Sequence, residues 1–319
     1  MATAAIAYLD LLGFKSAAGK GAEFAIQLLQ DYYDAVNTAL GDARQPCPPG
    51  CEQLRERNLI TSFQHFLPLS DSVFIVSADP SLLVFQLSSF LAACFGQRMN
   101  AFAHPRDPDQ PDKVIDDATE VTETVICRGE DGKPIVRKET THWLPVLFRG
   151  GITYGEFHLL RNAAIVDKVR QETRNLAGRD VVEAVGLEER MRESPVVKGP
   201  RVLCTDAFVS QLSQDARAFV AECLEDRSCQ EVYWPMAYFE TEPSVTRGIQ
   251  NGLVEPLQAA LNLWKTYMRK EPRTARHYEG FARLLVRSAM RKYPDGSVQI
   301  QAAAERIVAD TCLLKSLLT

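Results

Sequence analysis

The sequence of 319 residues has no long uninterrupted hydrophobic run. Its longest apolar stretch, residues 82–95, contains Gln86 and two serines and is shorter than the roughly 20 residues that span a bilayer. The N-terminus has no basic segment of the kind that precedes the apolar core of a signal peptide. We therefore expect 82–95 to form a buried helix, and we expect a cytoplasmic protein with no membrane partner.

The sequence also has no strong excess of charge of one sign. It contains 36 Lys and Arg against 41 Asp and Glu, a net charge of -5. Proteins that bind nucleic acid through its phosphates usually present a basic field, so no nucleic-acid partner is expected. Basic residues do cluster after Pro256, where Leu257, Leu261, Trp264 and Met268 have helical spacing. A solvated helix face is the more common explanation of such a cluster, and a partner surface is the alternative.

The eight cysteines form no tight framework. Their scatter through the chain fits reduced thiols in a cytoplasmic protein. Cys47 and Cys51 form one close pair, and Cys223 and Cys229 form the other. A zinc site would need two ligand pairs at suitable spacing, so we predict none.

The chain does contain two carboxylates at the ends of apolar strands: one follows the first strand and the other precedes the second. Residues 5–14 read AIAYLDLLGF, with Asp10 before a glycine turn, and residues 69–76 read LSDSVFIV, with Asp71. In a strand, Ile6, Tyr8 and Asp10 share one face. Mg²⁺ is usually held by one or two protein carboxylates together with substrate phosphates. A lone Asp beside a glycine is commonly a turn residue, but the pair, with the elements below, favours a metal site against a triphosphate.

The remaining patterns predict a mixed α/β chain. A helix is expected over 24–36, and a hairpin over 59–66 and 72–77 places Asp71 at its tip. Residues 147–157 read as a glycine-containing strand, 175–188 as a loop entering a helix, and 199–205 as a short strand. The polar stretch 104–142 is expected to be an inserted hairpin with its turn at 130–134.

Three motifs in this order carry a family resemblance: Asp10-Leu11-Leu12-Gly13-Phe14, Ser70-Asp71-Ser72, and Arg149-Gly150-Gly151-Ile152 followed by Gly155. The chain resembles the class III nucleotidyl cyclases over residues 4–240, and most of all the pyrimidine cyclases of bacterial Pycsar anti-phage systems. The resemblance implies a ferredoxin-like α/β catalytic domain over 1–250, interrupted at 104–142, with a helical C-terminal extension over 251–319. It also implies a homodimer with sites at the subunit interface and a cyclic-nucleotide-responsive effector of the product.

The same resemblance implies roles for the motif residues. Asp10 and Asp71 would bind two Mg²⁺ or Mn²⁺ ions, with the Leu11 carbonyl as a further ligand. Backbone amides around Leu12, Gly13 and Phe14 would cradle the phosphates. The ribose 3′-hydroxyl would attack the α-phosphorus and expel pyrophosphate.

Two departures from the family pattern concern the base. Family members that use ATP read adenine with a lysine and an aspartate, and Leu67 and Asn175 occupy those positions here. An asparagine amide both donates and accepts, so it can pair with uracil or cytosine. Phe63 and His65 are expected on the strand face of Leu67, where an aromatic ring could stack on a base. For Phe63 core packing is an equally good explanation, and for His65 a surface or interface position is the alternative.

A third departure concerns positive charge. The family's helix asparagine and arginine align with Val182 and Gly186, so another cation must face the phosphates. Arg149 and Arg179 are the predicted catalytic residues, with Arg161 a further candidate, and each could also be a surface or ion-paired arginine. The family resemblance implies a uridylate cyclase that converts UTP to cyclic UMP. A CTP or purine cyclase and a non-catalytic nucleotide-sensing module are the alternatives.

Overall fold

The computed structural model describes residues 2–41, 62–107, 110–114, 117–128, 133–166 and 169–308. Several predicted features lie outside these residues. They are the start of the predicted hairpin at 59–61, Cys47 and Cys51, the turn residues 130–132, and residues 309–319 of the extension.

Twelve strands are present in the described residues. They are β1 (Ala2–Leu11), β2 (His65–Leu69), β3 (Ser72–Ser77), β4 (Arg106–Asp107), β5 (Gln110–Val114), β6 (Glu120–Arg128), β7 (Pro134–His142), β8 (Phe148–Val166), β9 (Val169–Ala177), β10 (Val202–Cys204), β11 (Val220–Glu222) and β12 (Gln230–Val232).

Ten α-helices are present in the same residues. They are α1 (Phe14–Lys20), α2 (Ala22–Gly41), α3 (Pro80–Ala103), α4 (Arg179–Glu193), α5 (Asp206–Val209), α6 (Gln214–Arg217), α7 (Val245–Gly248), α8 (Val254–Lys270), α9 (Pro272–Lys292) and α10 (Ser297–Ile307). Short 3₁₀ turns span Trp234–Phe239 and Pro294–Gly296, and a π-helical turn spans Ile249–Leu253.

The main sheet has the strand order β11-β12-β10-β8-β1-β3-β2, with β9 paired to the outer part of β8. Its four strands β8-β1-β3-β2 are antiparallel throughout, and helices connect β1 to β2 and β3 to β8. This is the arrangement of a ferredoxin-like fold. The predicted α/β class and ferredoxin-like core are therefore confirmed. β4–β5 and β6–β7 form separate two-stranded sheets, so the predicted insertion does contain a hairpin.

The alternation predicted for β1 is also observed. Ala5, Ala7, Leu9 and Leu11 belong to the large hydrophobic core, which includes side chains of α2 and α3. Residues of the opposite face, among them Ile6, pack in a smaller cluster beneath α4. The helix approaches β8 closely. A Cβ on Gly151 would lie 2.2 Å from the Ala184 carbonyl oxygen, so only glycine permits this packing.

The C-terminal helices share the large core with the sheet domain. The Phe281 ring of α9 lies 4.9 Å, between centroids, from the Phe95 ring of α3 and stacks on Trp234. The basic residues of this region are not all on a solvated face. Arg287 binds Glu225 at 2.8 Å, and Arg291 donates to the Ala218 and Val220 carbonyl oxygens at 2.6 Å. Part of the basic cluster therefore holds α9 against the sheet edge.

The predicted buried helix over 82–95 lies within α3. Asp79 caps its N-terminus by accepting a hydrogen bond from the Leu82 amide at 2.9 Å, and Pro80 occupies the first helical position. By length and composition this helix could cross a membrane, as the core helix of a folded domain often could. Within the fold, 56% of its most apolar window is buried.

A half-buried carboxylate in this region leads to a prediction about stability. Glu240 follows the Trp234–Phe239 turn, and its Oε1 atom has no hydrogen-bond partner within the described part of the chain. Burial raises the pKa of Glu240 to about 7, although the charge of Lys292 opposes the shift. Between the ordinary pKa near 4.5 and about 7, the folded protein holds a proton that the unfolded chain releases. The free energy of unfolding contributed by this group therefore falls as the pH rises through that window.

Replacing Glu240 with glutamine should remove this penalty. We expect Glu240→Gln to raise the free energy of unfolding by about 1–2 kcal/mol at pH 8, after allowance for partial exposure, and by markedly less at pH 5. Urea unfolding at the two pH values measures this difference. Glu193→Gln, at an exposed position, is the control and should change neither value. An equal gain at both pH values would contradict the prediction.

Candidate active site

Asp10 and Asp71 lie side by side at one end of the central sheet. Asp10 is the penultimate residue of β1 and pairs in register with Ser72 of β3. Asp71 lies in the two-residue turn between β2 and β3, and its carbonyl oxygen accepts a hydrogen bond from the Leu11 amide at 2.8 Å. Ser70, the other turn residue, has a left-handed φ of 53°. The tight turn therefore brings the second carboxylate to the end of the first strand.

Arg149 lies beside Asp10 on the other neighbouring strand. It pairs in register with Asp10, and its Nη2 atom is 3.0 Å from the Asp10 Oδ2 atom. Its Nε atom is 2.5 Å from Oε1 of Glu188, a residue of α4 that is only 1% exposed. Arg149 thus bridges a candidate metal ligand and a buried carboxylate.

The cluster has more negative than positive charge. Three carboxylates, Asp10, Asp71 and Glu188, accompany two guanidinium groups: that of Arg149, and that of the exposed Arg192, which lies 3.6 Å from Glu188. Burial raises the pKa of Asp10 to about 6, the charges of Glu188 and Asp71 add to this, and Arg149 opposes it. A raised pKa means that the ionised carboxylate is under-stabilised, so a bound cation would relieve the repulsion. Carboxylate and carbonyl oxygens are the donors that Mg²⁺ and Mn²⁺ prefer, so this donor set fits those ions.

The glycine turn after Asp10 offers fewer phosphate-binding amides than the sequence predicts. The Leu12 amide donates to the Leu147 carbonyl oxygen at 2.8 Å, so it is already engaged. Gly13 has a φ of 90°, a left-handed conformation that favours glycine, and α1 begins at Phe14. The first amides of a helix have no intrahelical partner. Gly13 and Phe14 therefore remain the candidates, and Leu12 does not.

A cavity of about 290 Å³ adjoins this turn on the side of the C-terminal helices. Leu12 and Gly13 form one wall, and Tyr267 and Glu271 are on the other. Glu271 binds Lys20 of α1 at 2.6 Å and accepts a hydrogen bond from Ser16 at 2.7 Å. These contacts tie the extension to the turn.

The residues predicted to surround the base are only partly brought together. Leu67 is buried in the cluster beneath α4, and His65 lies with its ring 6.1 Å from that of Phe157. Phe63 does not share their face. It precedes β2 and packs on Phe66 and Phe90 in the large core, so the alternative of core packing is correct for this residue.

Asn175 lies in a strand, where a loop was predicted. It belongs to β9 and pairs with Leu160 of β8, with its side chain exposed. The period-two signal of β9 is weak because most of its residues are polar. The adjacent Leu176 packs against the cluster that contains Leu67. Leu176 is therefore on the face of the sheet that carries Leu67, and Asn175, the next residue in the strand, is on the opposite, exposed face with Leu160.

The other two arginine candidates, Arg179 and Arg161, lie far from Asp10 in the structure. Arg179 is the exposed first residue of α4, next to Asp180, which accepts a hydrogen bond from the Glu156 amide at 2.7 Å. Glu156 pairs with Thr3, seven residues before Asp10 on β1, a span of roughly 23 Å. Arg161 is exposed and pairs in register with Arg174. Val182 and Gly186, at the positions that lack the family's polar residues, are not among the buried residues of α4.

Two further groups near Arg149 carry no signal in the sequence. His277 of α9 accepts a hydrogen bond from the Gly199 amide at 3.3 Å. Burial lowers the pKa of His277 to about 4, and the charges of Arg149 and Lys198 add to the effect. Glu188 is also missing from the sequence-based site, because a glutamate between Leu187 and Glu189 in a helix is typical of a surface position. Only the tertiary fold places these residues at the site.

A second acidic group lies elsewhere. Ligand atoms of Cys223, Glu225 and Glu231 lie within 4.8 Å of one another, the spacing of a metal site. Arg201 occupies the space among them: its Nη2 atom is 2.9 Å from Glu225 and 3.6 Å from the Cys223 sulfur, and it also binds Glu231. The guanidinium supplies the positive charge that a metal ion would otherwise bring.

Comparison with protein-family models finds no match, and neither does comparison with curated proteins. Among solved structures, the chain is similar to the structure of a bacterial light-regulated adenylyl cyclase, with a TM-score of 0.39 and 10% sequence identity. The match covers 83% of this chain and 57% of the other. A similarity at this level does not establish a function.

Proposed function

We propose that this protein is a metal-dependent nucleotidyl cyclase that converts UTP to 3′,5′-cyclic UMP and pyrophosphate. The observation that supports this most is the placement of Asp10 and Asp71 at one end of a ferredoxin-like sheet, joined by the hydrogen bond from Leu11 to Asp71. Their charge exceeds what Arg149 neutralises, which suits a site for divalent cations.

The chain's own residues have distinct tasks in this reaction. Asp10, Asp71 and the Leu11 carbonyl would hold Mg²⁺ or Mn²⁺, two ions per site as the family resemblance implies, and the ions would polarise the 3′-hydroxyl and neutralise the leaving pyrophosphate. The Gly13 and Phe14 amides orient the phosphates. Arg149, which binds Asp10, would present positive charge to the reacting α-phosphate.

We assign base selection to His65 and, as a contribution to a site shared between two subunits, to Asn175. The Asn175 amide can rotate to match uracil or cytosine, so it does not choose between them. The proposed preference for UTP over CTP therefore depends mainly on the family resemblance. The positions that read adenine carry no lysine–aspartate pair, and Leu67 is buried. ATP and GTP are therefore expected to be poor substrates.

The biological setting follows from the same resemblance. A cytoplasmic homodimer would supply the product to a cyclic-nucleotide-responsive effector as an anti-phage signal. The exposed positions of Arg179 and Asn175 suit contributions to a site shared between two subunits, because neither side chain is engaged in the core.

Incubation with each of the four nucleoside triphosphates tests the proposal. With Mn²⁺ or Mg²⁺ present, we expect UTP to give cyclic UMP and pyrophosphate, separated by chromatography and identified by mass. If the main product were cyclic CMP or a cyclic purine, the assignment as a cyclase would stand and the proposed substrate would be wrong. Nucleotide binding without turnover would favour the sensing module and overturn the proposed activity.

The role of Arg149 is tested against its structural contacts. Arg149→Met alone leaves Glu188 buried without its closest partner, so lower activity could reflect instability. We therefore expect the double variant Arg149→Met, Glu188→Gln to fold stably and to turn over UTP roughly a hundredfold more slowly, as when one preorganised stabilising group is lost. Arg161→Ala is the matched surface control. Wild-type turnover in the folded double variant would remove Arg149 from the mechanism.

A further inference from the structure

Cys223 and Cys229 face each other at the end of the β11–β12 hairpin. The last register pair of these strands is Glu222 with Gln230, so the two cysteines form the next opposite pair. The Cys223 amide donates to the Cys229 carbonyl oxygen at 3.1 Å. Opposite residues of antiparallel strands have Cα atoms about 4.5–5.5 Å apart, within the range that a disulfide bridges.

The two side chains differ from the other described thiols. All four cysteines whose side chains are described and free are buried, but only Cys223 and Cys229 have a thiol partner, each other, in the described part of the chain. The hydrogen bond from Cys229, with the cation of Arg201 nearby, lowers the pKa of the Cys223 thiol despite its burial. Burial raises the pKa of Cys94 and of Cys204. Cys223 is therefore the one of the four that is suited to react as a thiolate.

The segment between the two cysteines is a surface turn that is anchored at Glu225, which binds Arg201, Arg283 and Arg287. Leu224 is exposed, and the Arg227 side chain is 83% exposed. The Cys229 sulfur lies 3.3 Å from the Asp226 carbonyl oxygen within the same turn. Local opening at the exposed residues Arg227 and Ser228 leaves the Glu225 ion pairs in place and costs far less free energy than global unfolding. Such an opening gives a small oxidant a route to the sulfurs.

We propose that Cys223 and Cys229 form a peroxide-sensitive dithiol that closes to a disulfide in the folded protein. The Cys223 thiolate attacks one oxygen of hydrogen peroxide, the O–O bond breaks, and hydroxide leaves as Cys223 becomes a sulfenic acid. Cys229 then attacks the Cys223 sulfur, the S–S bond forms, the S–O bond breaks, and the departing hydroxide takes the Cys229 proton. The hydroxide released in the first step takes up the proton that Cys223 lost when it formed the thiolate. In sum, two thiols are oxidised to one disulfide and one hydrogen peroxide is reduced to two waters.

This reactivity is compatible with a reducing compartment, where disulfides are usually transient and redox-sensing. It is independent of the cyclase activity and does not require it.

Tryptic peptide mapping reads out the proposed bond directly. Cleavage after Arg217, Arg227 and Arg247 places Cys223 in peptide 218–227 and Cys229 in peptide 228–247. The folded, full-length protein is titrated with hydrogen peroxide, remaining thiols are alkylated, and the peptides are separated. We expect the two peptides to become linked, to separate again with dithiothreitol, and to form roughly tenfold faster than Cys94 or Cys204 is oxidised.

Single variants assign the order of events. In Cys229→Ser, dimedone should label Cys223 as the trapped sulfenic acid, and in Cys223→Ser neither the label nor the linked peptides should form. Cys204→Ala is the matched control and should leave the linkage unchanged. Linkage that appears only in urea, or a Cys223 that stays fully alkylated at doses that oxidise Cys204, would overturn the proposal.

Discussion

Asp71→Asn is expected to abolish cyclisation, lowering UTP turnover by roughly a thousandfold or more, while the protein remains folded. The turn is held by the Asp71 backbone, whose carbonyl oxygen accepts from Leu11, and asparagine preserves that contact. The Asp71 side chain is only partly buried, so its replacement should cost little stability. What is lost is one of the two carboxylates that the proposed cations need.

Three measurements separate these effects. Product formation from UTP reports turnover, Mn²⁺ titration by calorimetry reports cation binding, and urea unfolding reports stability. Asp79→Asn is the matched control: it changes another aspartate at a turn but keeps the capping function of an Ncap residue. Unchanged turnover and Mn²⁺ affinity in Asp71→Asn would reject the metal site, even if the protein proved to be a cyclase.

The central strands could be predicted because their signals are local. The alternation of β1, the hairpin around Ser70 and Asp71 and the glycines of β8 each depend on a few neighbouring residues. The ferredoxin-like sheet was implied by the family resemblance that these motifs carry, and the observed order of a strand, a helix, a hairpin, a helix and a strand agrees with it. The placement of Asp10 beside Asp71 follows from that order.

The parts that could not be predicted depend on contacts distant in sequence. Glu188, Arg201 and His277 are polar residues that single-sequence patterns assign to the surface, yet each is mostly buried by an element far along the chain. Strand alternation predicts that Phe63 shares a face with His65 and Leu67, but β2 begins only at His65, so the alternation does not apply. The sequence predicts a loop at Asn175 because β9 is too polar to show a hydrophobic period.

The buried cluster around Arg201 illustrates how strongly contacts between residues distant in sequence affect the pKa of a carboxylate. Arg201 is 2% exposed and lies between Glu231, which is fully buried, and Glu225. Burial alone would raise the pKa of Glu225, but Arg201 and Arg287 lower it to about 2. The pKa of Glu231 remains raised by burial despite its bond to Arg201. The charge of Glu231 therefore depends mainly on the guanidinium of Arg201, whereas Glu225 is also held by Arg287.

Arg201→Met is accordingly expected to reduce the free energy of unfolding by about 3–5 kcal/mol at pH 7, the usual cost of leaving one member of a buried ion pair without its partner. Glu231 would be left buried and charged, whereas Glu225 keeps Arg283 and Arg287. Because Glu231 can escape this penalty by taking up a proton, the loss should shrink as the pH falls toward 5.

The double variant Arg201→Met, Glu231→Met removes both charges and should recover most of the stability at pH 7. Urea unfolding of the wild type and both variants at pH 5 and pH 7 measures these differences. Three outcomes would show that the Arg201–Glu231 pair does not govern the stability of this sheet edge. The single variant could lie within about 1 kcal/mol of the wild type at pH 7, or its loss of stability could be the same at both pH values. The third is a double variant that is no more stable than the single variant.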